Sequence, residues 1–256
     1  MAPLVVAPEF VTTGLAHAPE FLLEAARALR GELFGGRSAV PVTTNLARDY
    51  FQARKRSGGI HDSDIVAFAS KPYQRLLALP SMHSRFRSLS TADTVIDYGC
   101  GTGSLLLHLR RTGFTGHYVG VDVDSVAISD LQRRHSDHRT FFAAELPNTL
   151  AATLVVIANV LVYNTDDEAR DILARSALAT TSGGTVLVME PLPRWYWEFV
   201  FNGIRLRARP MPAVERLMEG SGLIVERRAI VSLAKFGKRP ILPIAYALTG
   251  IPRHAL

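Results

Sequence analysis

The distribution of apolar residues divides the chain near residue 90. Before that point apolar residues recur every three or four positions, so helices are predicted near residues 21–33, 44–55 and 63–79, with no strand among them. After it, short β-branched runs alternate with amphipathic stretches, which is typical of βαβ units and a mainly parallel sheet. The pattern predicts an N-terminal helical cap over residues 1–90 and an α/β core over residues 91–256.

Seven strands and four helices are predicted in the core. Only residues 233–240 separate the last two strands, whereas a parallel crossover needs about a dozen residues, so this pair is expected to be antiparallel. The fold class is therefore α/β, a Rossmann-like seven-stranded sheet with helices on both faces and an antiparallel last strand. The predicted strands are Thr94–Tyr98, His117–Asp122, Thr140–Ala144, Thr153–Asn159, Thr185–Glu190, Leu223–Ser232 and Ile241–Leu248. The predicted helices are Gly103–Thr112, Ser125–Arg134, Asp166–Thr180 and Pro212–Gly220.

Composition and charge exclude several classes of protein. The 256 residues are 48% hydrophobic, which excludes a disordered or fibrous chain. A single cysteine, Cys100, forbids an internal disulfide and fits a reducing compartment, so a cytoplasmic location is expected. The longest uncharged run, Leu146–Thr165, contains a proline and three asparagines and is interpreted as a buried strand with its flanks, not as a membrane span. The net charge of +6 permits an anionic partner without requiring one.

The clearest chemical signal is an apolar strand that runs into three alternating glycines, in Asp97-Tyr98-Gly99-Cys100-Gly101-Thr102-Gly103. Glycine at such a turn allows unusual dihedral angles and close approach of a ligand to the backbone. A dinucleotide loop would place its third glycine at position 104, where this chain has Ser104, and the Gly-Lys-Ser/Thr of a phosphate-binding loop is absent. The sequence therefore predicts a ligand site at the carboxyl end of the first core strand.

This Asp-x-Gly-x-Gly-x-Gly segment resembles motif I of the class I S-adenosylmethionine (SAM)-dependent methyltransferases, and the resemblance covers residues 90–250. It implies SAM as cofactor, with Asp122 at the tip of the second strand as ribose ligand and Val123 as adenine contact. Glu145 and Leu146 match the place that meets the adenine amino group. Asn159 and Val160 match the floor beneath the methionine portion. The implied cofactor-binding residues are Asp97, Gly99, Cys100, Gly101, Gly103, Asp122, Val123, Glu145, Leu146, Asn159 and Val160.

Residues that are absent narrow the range of acceptors. Enzymes that methylate amino groups of nucleic-acid bases resemble one another in an Asn/Asp-Pro-Pro-aromatic stretch, but this chain has Asn159-Val160-Leu161-Val162-Tyr163. No cysteine lies outside the glycine loop for attack on cytosine C5. The paired glutamates of protein-arginine methylation and the clustered acids of metal-dependent catechol-type enzymes are also absent. The expected acceptor is therefore a small molecule, no metal is expected, and nucleic-acid base chemistry of this kind is disfavoured.

A segment after the fifth strand supports a small-molecule acceptor. Residues 190–201 hold both tryptophans, Trp195 and Trp197, within an insertion at about 191–211, where small-molecule members of the family place a substrate cover. With Tyr50 these are the predicted substrate contacts, and aromatic walls suit an apolar substrate of specialised-metabolite biosynthesis. The same aromatics are equally compatible with packing onto the body of the protein. Arg205, Arg207 and Arg209 either clamp an anion or form a solvated basic face.

The proton acceptor has several candidates. An oxygen or nitrogen nucleophile must lose a proton during methyl transfer, and His61 is preferred because histidine titrates near neutral pH. Tyr163, Glu190 and His83 are the other candidates. Two rival functions stay open: an RNA methyltransferase that uses the basic surface, and a non-catalytic SAM-fold protein that regulates a partner. The sequence is compatible with a homodimer.

Overall fold

The computed structural model describes residues 89–147, 149–193, 207–236 and 239–255, and in addition residues 9–12, 40–41, 44–45, 48–49, 52 and 204–205. The described strands are β1 Glu9–Thr12, β2 Val40–Pro41, β3 Thr94–Tyr98, β4 His117–Val121, β5 Thr140–Ala143, β6 Ala152–Ala158, β7 Thr180–Pro191, β8 Ile204–Arg205, β9 Leu223–Phe236 and β10 Arg239–Pro252. The helices of the core are α1 Ser104–Arg111, α2 Ser125–Arg134, α3 Asp166–Leu178 and α4 Met211–Gly220.

One sheet of eight strands organises the core, in the order β1-β9-β10-β7-β6-β3-β4-β5. The seven predicted strands form the part of it from β9 to β5. Strand β10 pairs antiparallel with both β7 and β9, which confirms the predicted antiparallel last strand. The chain leaves β3 toward β4 on one side and returns as β6 on the other side, so the strand order reverses between β3 and β6. Ligands of open α/β sheets bind in the crevice at this kind of reversal.

Alternating apolar residues give the sheet two buried faces. Val95 belongs to the cluster on the α1 and α2 side, whereas its neighbour Ile96 belongs to the cluster on the α3 and α4 side. Successive side chains of a strand point to opposite faces, so a sheet covered twice needs continuous apolar strands. The prediction of helices on both faces is confirmed.

Side-chain caps fix where two helices begin. Asp124 accepts hydrogen bonds from the amides of Val126 and Ala127, at 3.0 and 3.4 Å, and so caps α2. Thr165 and Glu168 form a reciprocal capping box at the start of α3. Both caps lie at the carboxyl edge of the sheet, so they also set the position of the loops there.

The structure corrects the predictions at several places. Strand β7 begins at Thr180 and not at Thr185, because the amide of Ala152 donates to the carbonyl of Ala179 and extends the pairing with β6. Strands β9 and β10 are also longer than predicted. No strand was expected before residue 90, yet β1 pairs parallel with β9 and β2 pairs parallel with β8. The division into residues 1–90 and 91–256 stays a prediction.

Candidate functional site

The glycine loop connects β3 to α1 at the strand-order reversal. Its three glycines all have positive φ, at 76°, 51° and 79° for Gly99, Gly101 and Gly103. A Cβ atom on Gly99 would lie 2.3 Å from Cγ2 of Val160, and one on Gly103 would lie 2.7 Å from Cδ2 of Leu131. A Cβ on Gly101 would meet nothing within 4 Å. Packing therefore requires the outer glycines, whereas the middle one borders open space that a ligand can fill.

Asp122 stands beside this open space. Its Oδ2 accepts from the amide of Gly101 at 2.8 Å, and its Oδ1 accepts from the amide of Asp124 at 2.9 Å. The loop itself is tied to the same strand end, because the amides of Gly99 and Cys100 both donate to the carbonyl of Val121. These bonds hold a half-buried carboxylate at the tip of β4, in the position expected of a ribose ligand.

Asp97 is buried beneath the loop. The hydroxyl of Tyr118 donates to its Oδ2 at 2.6 Å. Burial raises the pKa of Asp97 to about 7, the Tyr118 hydrogen bond opposes this shift, and the negative charge of Asp122 adds to it. Cys100 is buried as well and contributes its backbone amide to the loop. Asp97 and Cys100 thus belong to the buried base of the loop, beneath the open space at Gly101.

The residues expected at the adenine end follow the neighbouring strands. Val123 is 44% exposed directly after β4, so a flat ring can lie against it. Glu145 is exposed and Leu146 is buried, shortly after β5. All three residues lie at the same carboxyl edge as the glycine loop, and their roles stay predictions.

The turn after β6 forms the other side of the crevice. Asn159 has φ of 55°, the one positive φ outside glycine among the described residues. Its backbone amide donates to the carbonyl of Met189 at 2.8 Å. The chain then forms a short 3-10 helix, Leu161–Tyr163. Because Val160 lies against Gly99, this turn and the glycine loop shape each other.

Glu190 anchors that turn from below. Its Oε1 accepts from the amides of Val160 and Leu161 at 3.0 and 2.8 Å, and its Oε2 accepts from the amide of Val162 at 2.9 Å. Burial raises its pKa to about 7, against the lowering effect of these amides and of Arg209. Both oxygens are engaged by the chain itself, which favours an anchoring role; its role as proton acceptor stays a prediction, as does that of half-buried Tyr163.

Arg209 holds the carbonyls of the same turn. Its guanidinium donates to the carbonyls of Leu161 and Asn164, at 2.7 and 2.8 Å, and to Oδ1 of Asp166. Its side chain is 7% exposed, whereas that of Arg207, which pairs with the same Asp166 at 3.3 Å, is 43% exposed. The sequence left open an anion clamp or a solvated face, whereas Arg209 is buried and binds carbonyls and a carboxylate of the chain itself. The alternating arginines were the available signal, but the pattern does not show which of them is buried.

Residues of the N-terminal region bind to both sides of the crevice. The amide nitrogen Nδ2 of Asn164 donates to Oγ1 of Thr44 at 2.6 Å, and the backbone amide of Thr44 donates to Oε1 of Glu168 at 3.4 Å. On the other side, Nε2 of Gln52 lies 3.5 Å from Oδ1 of Asp124, a long hydrogen bond. Sequence analysis did not identify these contacts, because they join residues 72 to 124 positions apart.

The other predicted site residues lie outside the described part of the chain: Tyr50, His61, His83, Trp195 and Trp197. Within the described part, no group of three or more His, Cys, Asp or Glu side chains is arranged to hold a metal ion. Of the helices described, none is both long and apolar enough to span a membrane.

One stretch of the chain is similar to curated protein sequences. A ribosomal protein L11 methyltransferase from Dechloromonas aromatica (strain RCB) is 37% identical over 78 residues, which cover 29% of this chain and 26% of that protein. The chain therefore matches about a quarter of the length of this relative.

Two solved structures share the fold. Magnesium protoporphyrin IX methyltransferase from Synechocystis PCC 6803, with bound S-adenosylhomocysteine (SAH), superposes with a TM-score of 0.59 and 16% identity, covering 82% of this chain and 99% of that one. An O-methyltransferase from neocarzinostatin biosynthesis, in complex with SAH and 1,4-dihydroxy-2-naphthoic acid, has a TM-score of 0.56 and 19% identity, covering 93% of this chain and 71% of that one. At these identities the likeness is one of fold.

The family model described as "Methyltransferase domain" matches residues 53–226, more than half of the chain. That range contains the glycine loop, the acid at the tip of β4 and the anchored turn after β6. The chain therefore belongs to the methyltransferase domain family.

Proposed function

We propose that this enzyme transfers the methyl group of SAM to a small organic molecule. The observation that supports this acceptor class most directly is the contact of Thr44 and Gln52 with opposite sides of the crevice. Such contact at the carboxyl edge of the sheet restricts access for a large flat surface. It leaves room for a molecule that can be enclosed, and enclosure keeps water from the reacting centre.

The residues present fit the cofactor. Asp122 would offer its carboxylate to the ribose hydroxyls, and the open space over Gly101 would leave room for the methionine portion. When bound, SAM supplies a methyl group on a positively charged sulfur, which departs as a neutral thioether. The chain must then align the nucleophile with the methyl carbon and keep the turn after β6 rigid. Glu190 and Arg209 serve the second task, because they bind its amides and its carbonyls.

Removal of the acceptor proton is assigned to His61, with Tyr163 as the second candidate. The His61→Ala variant is expected to lower turnover by about 100-fold when the acceptor is a hydroxyl, with SAM affinity unchanged. The acidic limb of the pH profile is expected to disappear as well. Unchanged turnover from pH 5.5 to 9 in both His61→Ala and His61→Gln would remove His61 from the mechanism.

Titration calorimetry with SAM tests the cofactor site. Asp122→Ala is expected to weaken binding about 10-fold to 100-fold, because hydrogen bonds to a charged group contribute about 1.5–3 kcal/mol each. Asp130→Ala is the matched control, since Asp130 lies on α2 and pairs with Arg133 and Arg134 on the surface. Equal SAM affinity in the two variants would refute the assignment of Asp122.

The acceptor class is tested by transfer of labelled methyl from SAM. Phenolic and carboxylic small molecules are supplied in one arm, and ribosomal protein is supplied in the other. Label in small molecules alone supports the proposal, provided that it disappears when Trp195 and Trp197 are both replaced by Ala while SAM still binds. Turnover that persists in this double variant would assign the tryptophans to packing.

A protein acceptor is the second candidate, and one specific observation favours it. The curated relative that matches over 78 residues is named for methylation of ribosomal protein L11. The match covers only 26% of that protein. Label in protein alone would establish this candidate and overturn the small-molecule proposal.

A further inference from the structure

One crossover of the eight-stranded sheet has no helix. The crossovers from β3 to β4, from β4 to β5 and from β6 to β7 contain α1, α2 and α3. Between β5 and β6, the described residues 144–147 and 149–151 form no helix, and a right-handed connection in this direction runs over the α3 side of the sheet. That side is incompletely covered near β5, where Phe141, whose neighbour Phe142 points to the opposite face, is 54% exposed.

A cavity of about 170 Å³ lies between this connection and the end of α3. It is lined by Leu146, Pro147, Arg175, Leu178 and Ala179. Leu178 is 79% exposed, so the cavity opens to solvent on that side. An apolar cavity of about 150 Å³ is large enough for benzene, so a single ring or a short branched chain fits here.

Arg175 is the charged residue in this lining. Its Nη2 donates to Oδ2 of Asp171, one turn earlier on α3, whereas its Nε is buried and has no hydrogen-bond partner. A buried N–H without an acceptor is unfavourable. The pair with Asp171 contributes little to stability, because that carboxylate is 61% exposed and regains water when the pair separates. A rotation of the Arg175 side chain is therefore enough for the guanidinium to bind an acceptor group placed in the cavity.

The charges around the cavity are of both signs. Burial raises the pKa of nearby Tyr98, the positive charge of Arg175 opposes this shift, and the negative charges of Asp171 and Glu145 add to it. Both carboxylates are exposed, so water and salt screen their repulsion of an anion, whereas Nε of Arg175 is shielded from water. A carboxylate matches a guanidinium best, because it accepts two N–H groups side by side.

We propose that this cavity binds a small apolar carboxylate, an aromatic or branched-chain acid of about the size of benzoate, through Arg175. The site is separate from the crevice, which borders the turn that leads into the amino end of α3 at Asp166. A helical rise of about 1.5 Å per residue places Arg175 about 14 Å along α3 from Asp166. The inference is independent of the identity of the methyl acceptor.

The test compares benzoate with benzamide, which has the same ring and no charge. Both are titrated into the full chain, and the dissociation constants are measured by NMR for wild type and four variants: Arg175→Gln, Arg175→Lys, Leu178→Asn and Arg170→Gln. Arg170→Gln is the matched control, because Arg170 also lies on α3 and pairs with Asp167 on the surface. Circular dichroism checks that each variant is folded, as expected for changes at partly exposed positions.

Wild type is expected to bind benzoate about 10-fold more tightly than benzamide. Arg175→Gln is expected to bind benzoate as weakly as benzamide, with benzamide binding unchanged, and Arg175→Lys to keep part of the preference. Leu178→Asn weakens both probes, because it removes an apolar wall, and Arg170→Gln matches wild type.

Four outcomes would overturn the proposal. The first is no binding of benzoate at millimolar concentration, or no preference for it in wild type. Equal weakening of both probes by Arg175→Gln would make the arginine a wall of the cavity and not an anion ligand. Unchanged binding in both Arg175→Gln and Leu178→Asn would place the probes elsewhere, such as in the crevice. A wild-type dimer that dissociates in Leu178→Asn, measured by light scattering, would mean that a second copy of the chain covers the cavity.

Discussion

Replacement of Arg209 by Met is expected to destabilise the protein, because two carbonyls lose their hydrogen-bond donor. The guanidinium donates to the carbonyls of Leu161 and Asn164, and both residues are buried. A buried polar group left without its partner costs about 1–3 kcal/mol. The bonds to Asp166 contribute less, because that carboxylate is half exposed and regains water.

The expected loss in the free energy of unfolding is about 4 kcal/mol. Methionine keeps the apolar stem of the side chain and avoids the desolvation of a buried charge, which limits the loss. Arg207→Met is the matched control, since Arg207 pairs with the same Asp166 but is 43% exposed. Its loss is expected to stay within about 0.5 kcal/mol.

Urea unfolding followed by circular dichroism measures both variants, and SAM titration follows on the folded protein. Arg209→Met is also expected to weaken SAM binding, because the carbonyls of Leu161 and Asn164 lose the donor that holds them next to the Asn159–Val160 turn. A loss below about 1 kcal/mol in Arg209→Met, or equal losses in the two variants, would refute the assignment of Arg209 as a structural anchor.

Three further substitutions test the loop and the turn. Because the pKa of Asp97 is raised to about 7 when folded, its contribution to stability is full below pH 4 and is lost as pH rises through 7. The free energy of unfolding of Asp97→Asn relative to wild type, measured with urea, should therefore rise by up to about 1.4 kcal/mol per pH unit between pH 5 and 7. A difference that stays constant with pH would contradict this. Gly99→Ala should lower Tm more than Gly113→Ala, since both have positive φ but only the first would place Cβ against Val160; the reverse order would contradict it. Asn159→Val should lower the free energy of unfolding in urea by about 1–2 kcal/mol, and Asn159→Gly should change it little. A negligible loss in Asn159→Val would mean that the positive φ relaxes in the variant.

The sequence by itself determined the frame of the site. Apolar runs marked the strands of the core, and β3 was predicted with its observed bounds, because strands buried on both faces have a composition that is visible locally. The glycine loop and Asp122 were equally visible, since their chemistry depends on residues within a few positions of a strand end. The cap of α2 by Asp124 is local in the same sense.

Only the tertiary structure decided which polar residues are buried and which partners they find. Nothing in the spacing of Arg207 and Arg209 indicates that one is exposed and the other binds two buried carbonyls, because those carbonyls lie 45 to 48 residues away along the chain. Its position at a strand end made Glu190 a candidate proton acceptor, yet its oxygens accept hydrogen bonds from amides 28 to 30 residues away. The contacts of Thr44 and Gln52 depend on the return of a distant segment over the sheet edge, a long-range arrangement that local periodicity does not encode.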